Sequence, residues 1–328
     1  MPGSEFNIIQ TFFTDPARSL SDRQGRSDIA LGIGDDCAII NSPDNQQLVV
    51  SIDTLISGIH FPEQTSPQAI AYKSLAVNLS DLAAMGAEPA WFTLALTLPE
   101  ADESWLASFS SALFKLAEEF NISLIGGDTT RGKLAITIQV AGYVPSGRAL
   151  LRSGARAGDI IALTGPLGAA SIGLDIVLGK NHKTYQCLSE KQQQTALLAL
   201  NFPSPKIKEG LLLRDYAHAV LDLSDGLFSD LGHILKAGAV GADVFLEQLP
   251  LAESLQCLET EQAWERALAG GDDYQLCFTV EPEKWQQLQA IAPQFVAIGV
   301  ITDSHELRLL NSSGKLFHPR NGGYNHFE

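Results

Sequence analysis

The sequence predicts a two-domain protein of α/β or α+β class, and three observations predict it. At 328 residues the chain exceeds the size at which a single hydrophobic core keeps growing. Strand-like apolar runs alternate with helical segments along its length. A stretch rich in Gly, Arg and Ser, "PSGRALLRSGARAGD" at 145–159, interrupts them and reads as the joint between a domain of residues 1–148 and one of 149–328.

In chain order, "LVVSIDTLI" (48–56) reads as a buried strand, and Ser66-Pro67 opens a helix over 67–85 that Gly86 stops. "WFTLALTLP" is a strand and "ESWLASFSSALFKLAEEF" an amphipathic helix. "ISLIGGDTT" follows as a strand ending in a Gly-Gly turn, and "LAITIQVAGYVP" closes the first half. Beyond the joint, "IIALTG" is a strand, "PLGAASIGLDIVLG" a helix, and "HAVLDLSDGLFSDLGHILKAG" a strand running into a helix. "DYQLCFTV" is a third strand, leading to a helix near 283–291 and then to a hairpin of "FVAIGVITD" and "ELRLL" joined through a turn at "NSSGK".

Hydrophobic content of 45%, with 8% aromatic and 18% charged residues, describes an ordinary folded chain. Against 38 Asp+Glu stand 22 Lys+Arg, a net charge of -16 that argues against broad binding to nucleic acid or anionic membrane. A chain this acidic needs cations if it handles phosphates. No apolar run approaches the roughly 20 residues of a membrane span. The start, "MPGSEFNIIQTFF", lacks a basic n-region and a clean h-region, so the chain reads as cytoplasmic. Cys37, Cys187, Cys257 and Cys277 are scattered without a C-x-x-C pair and read as buried reduced thiols.

The recurring feature is an Asp that interrupts an apolar run at a strand end or turn: Asp36, Asp53, Asp81, Asp128, Asp222, Asp225 and Asp272. Strand side chains alternate faces, so only one of Asp35 and Asp36 in "LGIGDDCAII" can face a site, and Asp36 is the candidate. Asp222 and Ser224 share a face, with Asp225 turned to the start of the next helix. Asn78 and Asp81 lie on one side of their helix, where Asn78 reads equally as a satisfied buried amide. "LSD" precedes "GGD" at the same interval in both halves, though nothing else aligns at that offset.

Carboxylates about 4 Å apart repel by on the order of 4 kcal/mol at an effective dielectric near 20. A converging set therefore needs bound cations or protonation, and all-oxygen ligands favour Mg²⁺, Mn²⁺ or Ca²⁺ over zinc. Mg²⁺ commonly bridges to substrate phosphates. Yet "GLDIVLGKN" fails as a P-loop, and the acids of "GIGDDC" would repel a pyrophosphate. There is no G-x-S-x-G elbow, and the seven His show no metal or triad spacing. Metal-assisted transfer without a covalent intermediate fits best.

"LGIGDDCA", "SIDTLISGIHF", "YKSLAVNLSDLAAMGAEP", "LIGGDTTRG", "GRALLRSGARAGD", "DLSDGLFSDLGHI" and "AGGDDYQL" together resemble the thiamine-monophosphate kinases, a family of the aminoimidazole-ribonucleotide-synthetase-like superfamily. The resemblance runs in order from about residue 5 to "GGYNHF". It implies the two-domain fold of that superfamily, with N-terminal domains joined in a homodimer through a shared β-barrel-like interface. The implied reaction is Mg²⁺-dependent in-line transfer of the ATP γ-phosphoryl group to thiamine monophosphate, giving thiamine diphosphate and ADP, with ATP bound between the domains. Carried over by motif position, the metal ligands are Asp36, Asp53, Asp81, Asp128, Asp222 and Asp225, with Ser51 and the backbone of Ile52 assisting. Gly127, Asp128, Arg152 and Ser224 line the nucleotide site, and His60, Asp272 and Tyr324 contact the thiamine phosphate. Asp53, Asp128 and Arg152 are the expected catalytic residues.

One departure is Asp272, where the family commonly has Glu in its "G-G-E-D" motif, so the acid is kept with a shorter reach. A phosphate acceptor is already an anionic nucleophile, so no strong general base is required and catalysis rests on positioning and charge neutralisation. His60 also reads as a packed histidine. Asp230 and His233 read as solvated or capping residues. Rival readings are a selenophosphate synthetase, which would carry Cys with a nearby Lys in residues 1–25, an amidine-forming synthetase, and a nonenzymatic maturation scaffold with a reactive C-terminal Cys. The chain shows no Cys in residues 1–25 and ends "YNHFE".

Overall fold

The computed structural model describes residues 5–180 and 184–323. The chain divides into two compact units, one from its start to Leu82 with Ala87–Arg148, the other Ala83–Gly86 with Ala149 onward. No helix among the described residues is long and apolar enough to cross a membrane.

The first unit opens with α1 (Glu5–Ile9), a π-helical turn at Gln10–Thr14, and α2 (Asp15–Gln24). A short ladder of β1 (Ile29–Leu31) and β2 (Ile39–Ile40) brackets the "GIGDDC" turn. Then come β3 (Gln46–Ile56), α3 (Pro67–Ala84), β4 (Glu88–Leu98), α4 (Glu103–Glu119), β5 (Ser123–Arg131) and β6 (Ala135–Pro145). The sheet order is β3-β6-β4-β5, antiparallel except for the parallel β4–β5 pair. Alternation along β4 buries Phe92, Leu94, Leu96 and Leu98 on one face. α4 starts at Asp102, whose carboxylate accepts from the N–H groups of Ser104 and Trp105, and it buries Leu106, Phe109, Leu113 and Leu116 at helical spacing.

In the second unit β7 (Ile160–Leu163), α5 (Ala169–Val177), α6 (Glu190–Asn201) and α7 (Ile207–Leu213) precede β8 (Ala217–Asp222) and α8 (Leu227–Gly238). β9 (Gly241–Phe245), α9 (Thr260–Ala269), β10 (Leu276–Val280), α10 (Pro282–Ile291), β11 (Val296–Thr302) and β12 (Leu307–Leu310) complete it. The sheet order is β12-β9-β11-β7-β10-β8. Ile161, Leu163, Leu221, Val244, Cys277 and Ile298 from these strands join Leu231, Ile234 and Leu268 from the helices in one core.

Three expectations are corrected. β5 does not end at its Gly-Gly pair but continues to Arg131 in register with β4. A Cβ at Gly127 would fall 2.0 Å from the Leu94 carbonyl oxygen, so the glycine permits the pairing rather than ending it. β11 and β12 form no hairpin: β9 lies between them, antiparallel to β11 and parallel to β12, and "NSSGK" turns only after β12. Of the four thiols only Cys277 is buried, while Cys37 and Cys187 are exposed and Cys257 is half-buried. Cys37 sits in an open acidic turn and Cys187 on a short 3-10 turn at Thr184–Cys187, neither of which has a layer of core above it.

Candidate active site

In the first unit the carboxylates meet where β3 passes under α3. Ser51 and Asp53 alternate with exposed Val50 and Ile52, so they share the covered face of β3. The Ser51 hydroxyl donates to Asp81 Oδ2 at 2.5 Å, tying strand to helix. Asp53 lies near enough to Asp81 to feel its charge. Burial first and that charge second push its carboxyl from 3.8 up to about 6. Asn78, one turn before Asp81, is fully buried; its Nδ2 donates to the Ser74 carbonyl at 2.9 Å while its Oδ1 has no hydrogen-bond partner. The buried-amide reading of Asn78 therefore holds for one end of the group.

His60 closes the turn after β3. The Ile56 N–H donates to its Nδ1 at 3.0 Å, which fixes the tautomer that carries its proton on Nε2. Buried Lys73 reaches the His60 carbonyl at 3.5 Å, a support that sequence reasoning missed and that a lone Lys inside the apolar run "AYKSLAVNL" signals. Asp35 and Asp36 are exposed in the β1–β2 turn, where Asp35 Oδ1 accepts the Asp36 N–H at 2.8 Å. Asp128 pairs in register with exposed Ala95, whereas Asp53 lies across Ile138 from buried Leu94. Register therefore puts Asp128 on the open face of the sheet and Asp53 on the covered one. Ile52, like Asp128, belongs to the open face.

In the second unit two motif segments lie side by side. The Asp272 N–H donates to the Ser224 carbonyl at 2.9 Å, and Leu223 exchanges backbone bonds with Tyr274 and Gln275. A side chain at Gly271 would place its Cβ 2.6 Å from the Ser224 carbonyl oxygen, which explains the glycine there. Asp222 ends β8 and is buried; Ser224 is exposed, and Asp225 is intermediate. Asp230, on the first turn of α8, is a buried cap: its Oδ2 accepts the N–H groups of Ser224, Asp225 and Gly226 at 3.0, 3.1 and 3.1 Å. Burial nevertheless lifts its carboxyl to about 6, outweighing those bonds.

Asp272 has a left-handed φ of 68° and accepts a hydrogen bond from the Tyr274 hydroxyl at 3.0 Å. Tyr274 is a positioning partner that the sequence showed only as an aromatic next to "GGDD". Asp273 turns away, accepting the Gly168 N–H at the start of α5; burial pushes its carboxyl well above the usual range. Arg152 is exposed in the irregular segment before β7. Tyr324 lies outside the described residues. Among the described residues no group of three or more His, Cys, Asp or Glu side chains stands close enough to hold a metal ion by itself. What the first unit provides is a carboxylate pair with a hydroxyl, and the second a row of acids along one turn.

The family model "AIR synthase related protein, N-terminal domain" matches residues 34–144, and the corresponding C-terminal domain matches 156–310. The chain is 51% identical over 281 residues, 85% of its length and 83% of the relative's, to the thiamine-monophosphate kinase of Escherichia coli strain K12. Among solved structures, the thiamine-monophosphate kinase of Stenotrophomonas maltophilia K279a superposes with a TM-score of 0.84 at 43% identity, covering 96% of this chain and 98% of that one. A structure described as "AaThiL complexed with AMPPCP and TMP" superposes with a TM-score of 0.76 at 27% identity over 97% and 98% of the two chains. Both family domains, the Ser51–Asp53–Asp81 constellation and these likenesses lead to one conclusion: the chain belongs to the thiamine-monophosphate kinase family of AIR synthase related proteins.

Proposed function

We propose that this chain is an ATP-dependent phosphotransferase that moves the γ-phosphoryl group of ATP to thiamine monophosphate with Mg²⁺, giving thiamine diphosphate and ADP. The 51% identity to an enzyme of that name carries the reading. The donor set agrees with a hard divalent cation, because Asp53, Asp81 and Ser51 offer only oxygens and a charge that burial leaves poorly solvated. When bound, such a cation would neutralise the phosphates and the carboxylates together.

The roles then fall to this chain's own residues. Asp36, Asp53, Asp81, Asp128, Asp222 and Asp225, with Ser51 and the Ile52 backbone, are the proposed metal ligands. Asp128 lies on the open face and the Asp53–Asp81 pair on the covered one, so the two would hold separate ions. Gly127, Asp128, Arg152 and Ser224 face the nucleotide, Arg152 offering an exposed guanidinium for charge developing on the transferred group. His60 contacts the thiamine phosphate, and Asp272, steadied by Tyr274, contacts the same substrate with Tyr324. The first unit acts as the metal-binding, ATP-binding and dimerisation domain, and the second completes the nucleotide and substrate site. An acceptor phosphate oxygen attacks in line and ADP leaves, with no base needed.

The assembly is a homodimer through β3. That edge strand exposes Leu48, Val50 and Ile52 at 47, 47 and 59% on its outer face, an apolar stripe suited to a second copy and to the barrel-like interface the resemblance implies. The cytoplasm is the compartment where ATP and thiamine monophosphate meet this enzyme. Incubation with ATP, Mg²⁺ and thiamine monophosphate, followed by chromatographic quantification of thiamine diphosphate, tests the function; absence of that product at enzyme concentrations that turn over the E. coli relative overturns it.

A further inference from the structure

Two of the four thiols stand together although 70 residues separate them in sequence. Cys187 ends the 3-10 turn Thr184–Cys187, and Cys257 ends another at Glu253–Cys257. Cys187 Sγ lies 4.0 Å from the Cys257 carbonyl oxygen, and Cys257 Sγ donates to the Ser254 carbonyl at 3.4 Å. Cys187 is exposed and Cys257 half-buried, so an oxidant in solution reaches one thiol and finds the second beside it. Neither residue belongs to the phosphoryl-transfer machinery.

We propose that Cys187 and Cys257 form a reversible intrachain disulfide when the protein meets a small disulfide oxidant such as glutathione disulfide. The Cys187 thiolate attacks the oxidant's S–S bond, forming a mixed disulfide and releasing one small thiolate. The Cys257 thiolate then attacks the Cys187 sulfur, forming the protein S–S bond and releasing the second. Two protein thiols lose two protons and two electrons, and the oxidant takes up both to become two thiols. Burial and the hydrogen bond with Cys187 push the Cys257 thiol up to about 11, which disfavours it as the first attacker and leaves that step to exposed Cys187.

The bridge would also fasten a cavity wall. Tyr185 and Leu258, neighbours of the two cysteines, line a cavity of about 850 Å³ together with Trp264, Arg266 and Phe317. Tyr185 is already held there, its hydroxyl donating to Asp175 Oδ2 at 2.7 Å.

The full-length protein is incubated with glutathione disulfide, alkylated with iodoacetamide and mapped by mass spectrometry without reduction. The expected product is one peptide pair joined through Cys187 and Cys257, lost again on adding dithiothreitol, with Tm raised by about 5–15 °C in the oxidised form from closing so long a loop. In Cys257→Ser the same treatment should leave glutathione attached to Cys187. A stable glutathione adduct on Cys187 in the unmutated protein with Cys257 still alkylated, or a cross-link between two chains instead of within one, overturns the proposal. None of these readouts passes through phosphoryl transfer.

Discussion

Asp53→Asn should make the metal-free protein more stable while abolishing its activity. Burial and Asp81 raise the Asp53 carboxyl from 3.8 to about 6 in the folded chain. The folded value lies above the unfolded one, so folding favours the protonated acid; the associated stabilisation is complete below about pH 3.8 and is lost as pH rises through about 6. A rise of that size corresponds to about 3 kcal/mol at roughly 1.4 kcal/mol for each factor of ten. Asparagine is close in shape and stays neutral. In EDTA at about pH 7.5 the variant should therefore be more stable by about 2–3 kcal/mol, a Tm gain of about 4–10 °C, with the difference closing as pH approaches 4. Adding Mg²⁺ should raise the Tm of the unmutated protein and move the variant much less. Turnover should fall by at least roughly 100-fold through loss of a charge-positioning group. Thermal denaturation followed by circular dichroism from about pH 4.5 to 8, with and without Mg²⁺, measures the first two effects. A variant that is less stable than the parent at pH 7.5, or a difference that does not change with pH, refutes the reasoning about Asp53 and Asp81.

Gly127→Ala puts a Cβ 2.0 Å from the Leu94 carbonyl oxygen, so it should cost roughly 3–5 kcal/mol or prevent folding, measured by urea denaturation. Asp230→Ala strands three amides and should cost about 2–3 kcal/mol, with Asp230→Asn recovering part of the loss because its amide oxygen still accepts. Tyr274→Phe removes the bond to Asp272 Oδ1 and should raise KM for thiamine monophosphate about 3–10-fold with little change in kcat. Ile52→Glu places a charge in the exposed stripe on β3 and should weaken self-association at least about 30-fold, read by analytical ultracentrifugation.

Local patterns carried most of the fold. Pro67 and Gly86 bracket α3, and the alternation of β3 and β4 shows which face is covered. The failures were non-local. Nothing between residues 296 and 315 says that β9 will insert between β11 and β12, because pairing partners distant in sequence leave no mark in either strand. The glycines of β5 carry the residue type of a turn, and only the approach of Leu94 shows that Gly127 serves close packing. For the site, the aspartates announced themselves by interrupting apolar runs, but their sheet faces did not: Asp128 follows two glycines, and a bulge in the β4–β5 pairing sets which face it takes. The capping reading of Asp230 holds and the solvated one does not, but spacing alone does not reveal that its carboxylate folds back on three amides at once. Tyr274 and Lys73 act through neighbours that only the folded chain supplies.

The turn at the head of α8 is the kind of place where many folds seat a phosphate, with successive amides pointing at one spot. Here that seat is taken by the protein's own Asp230, an anion that arrives with folding and never leaves. A nucleotide offered to the turn meets acids on its rim and no vacant amides among Ser224, Asp225 and Gly226. At this turn the fold has closed the backbone route to phosphate, so with the proposed cations bridging acids and nucleotide, affinity for the nucleotide should follow the free concentration of the divalent cation more closely than in a protein that grips phosphate at such a turn.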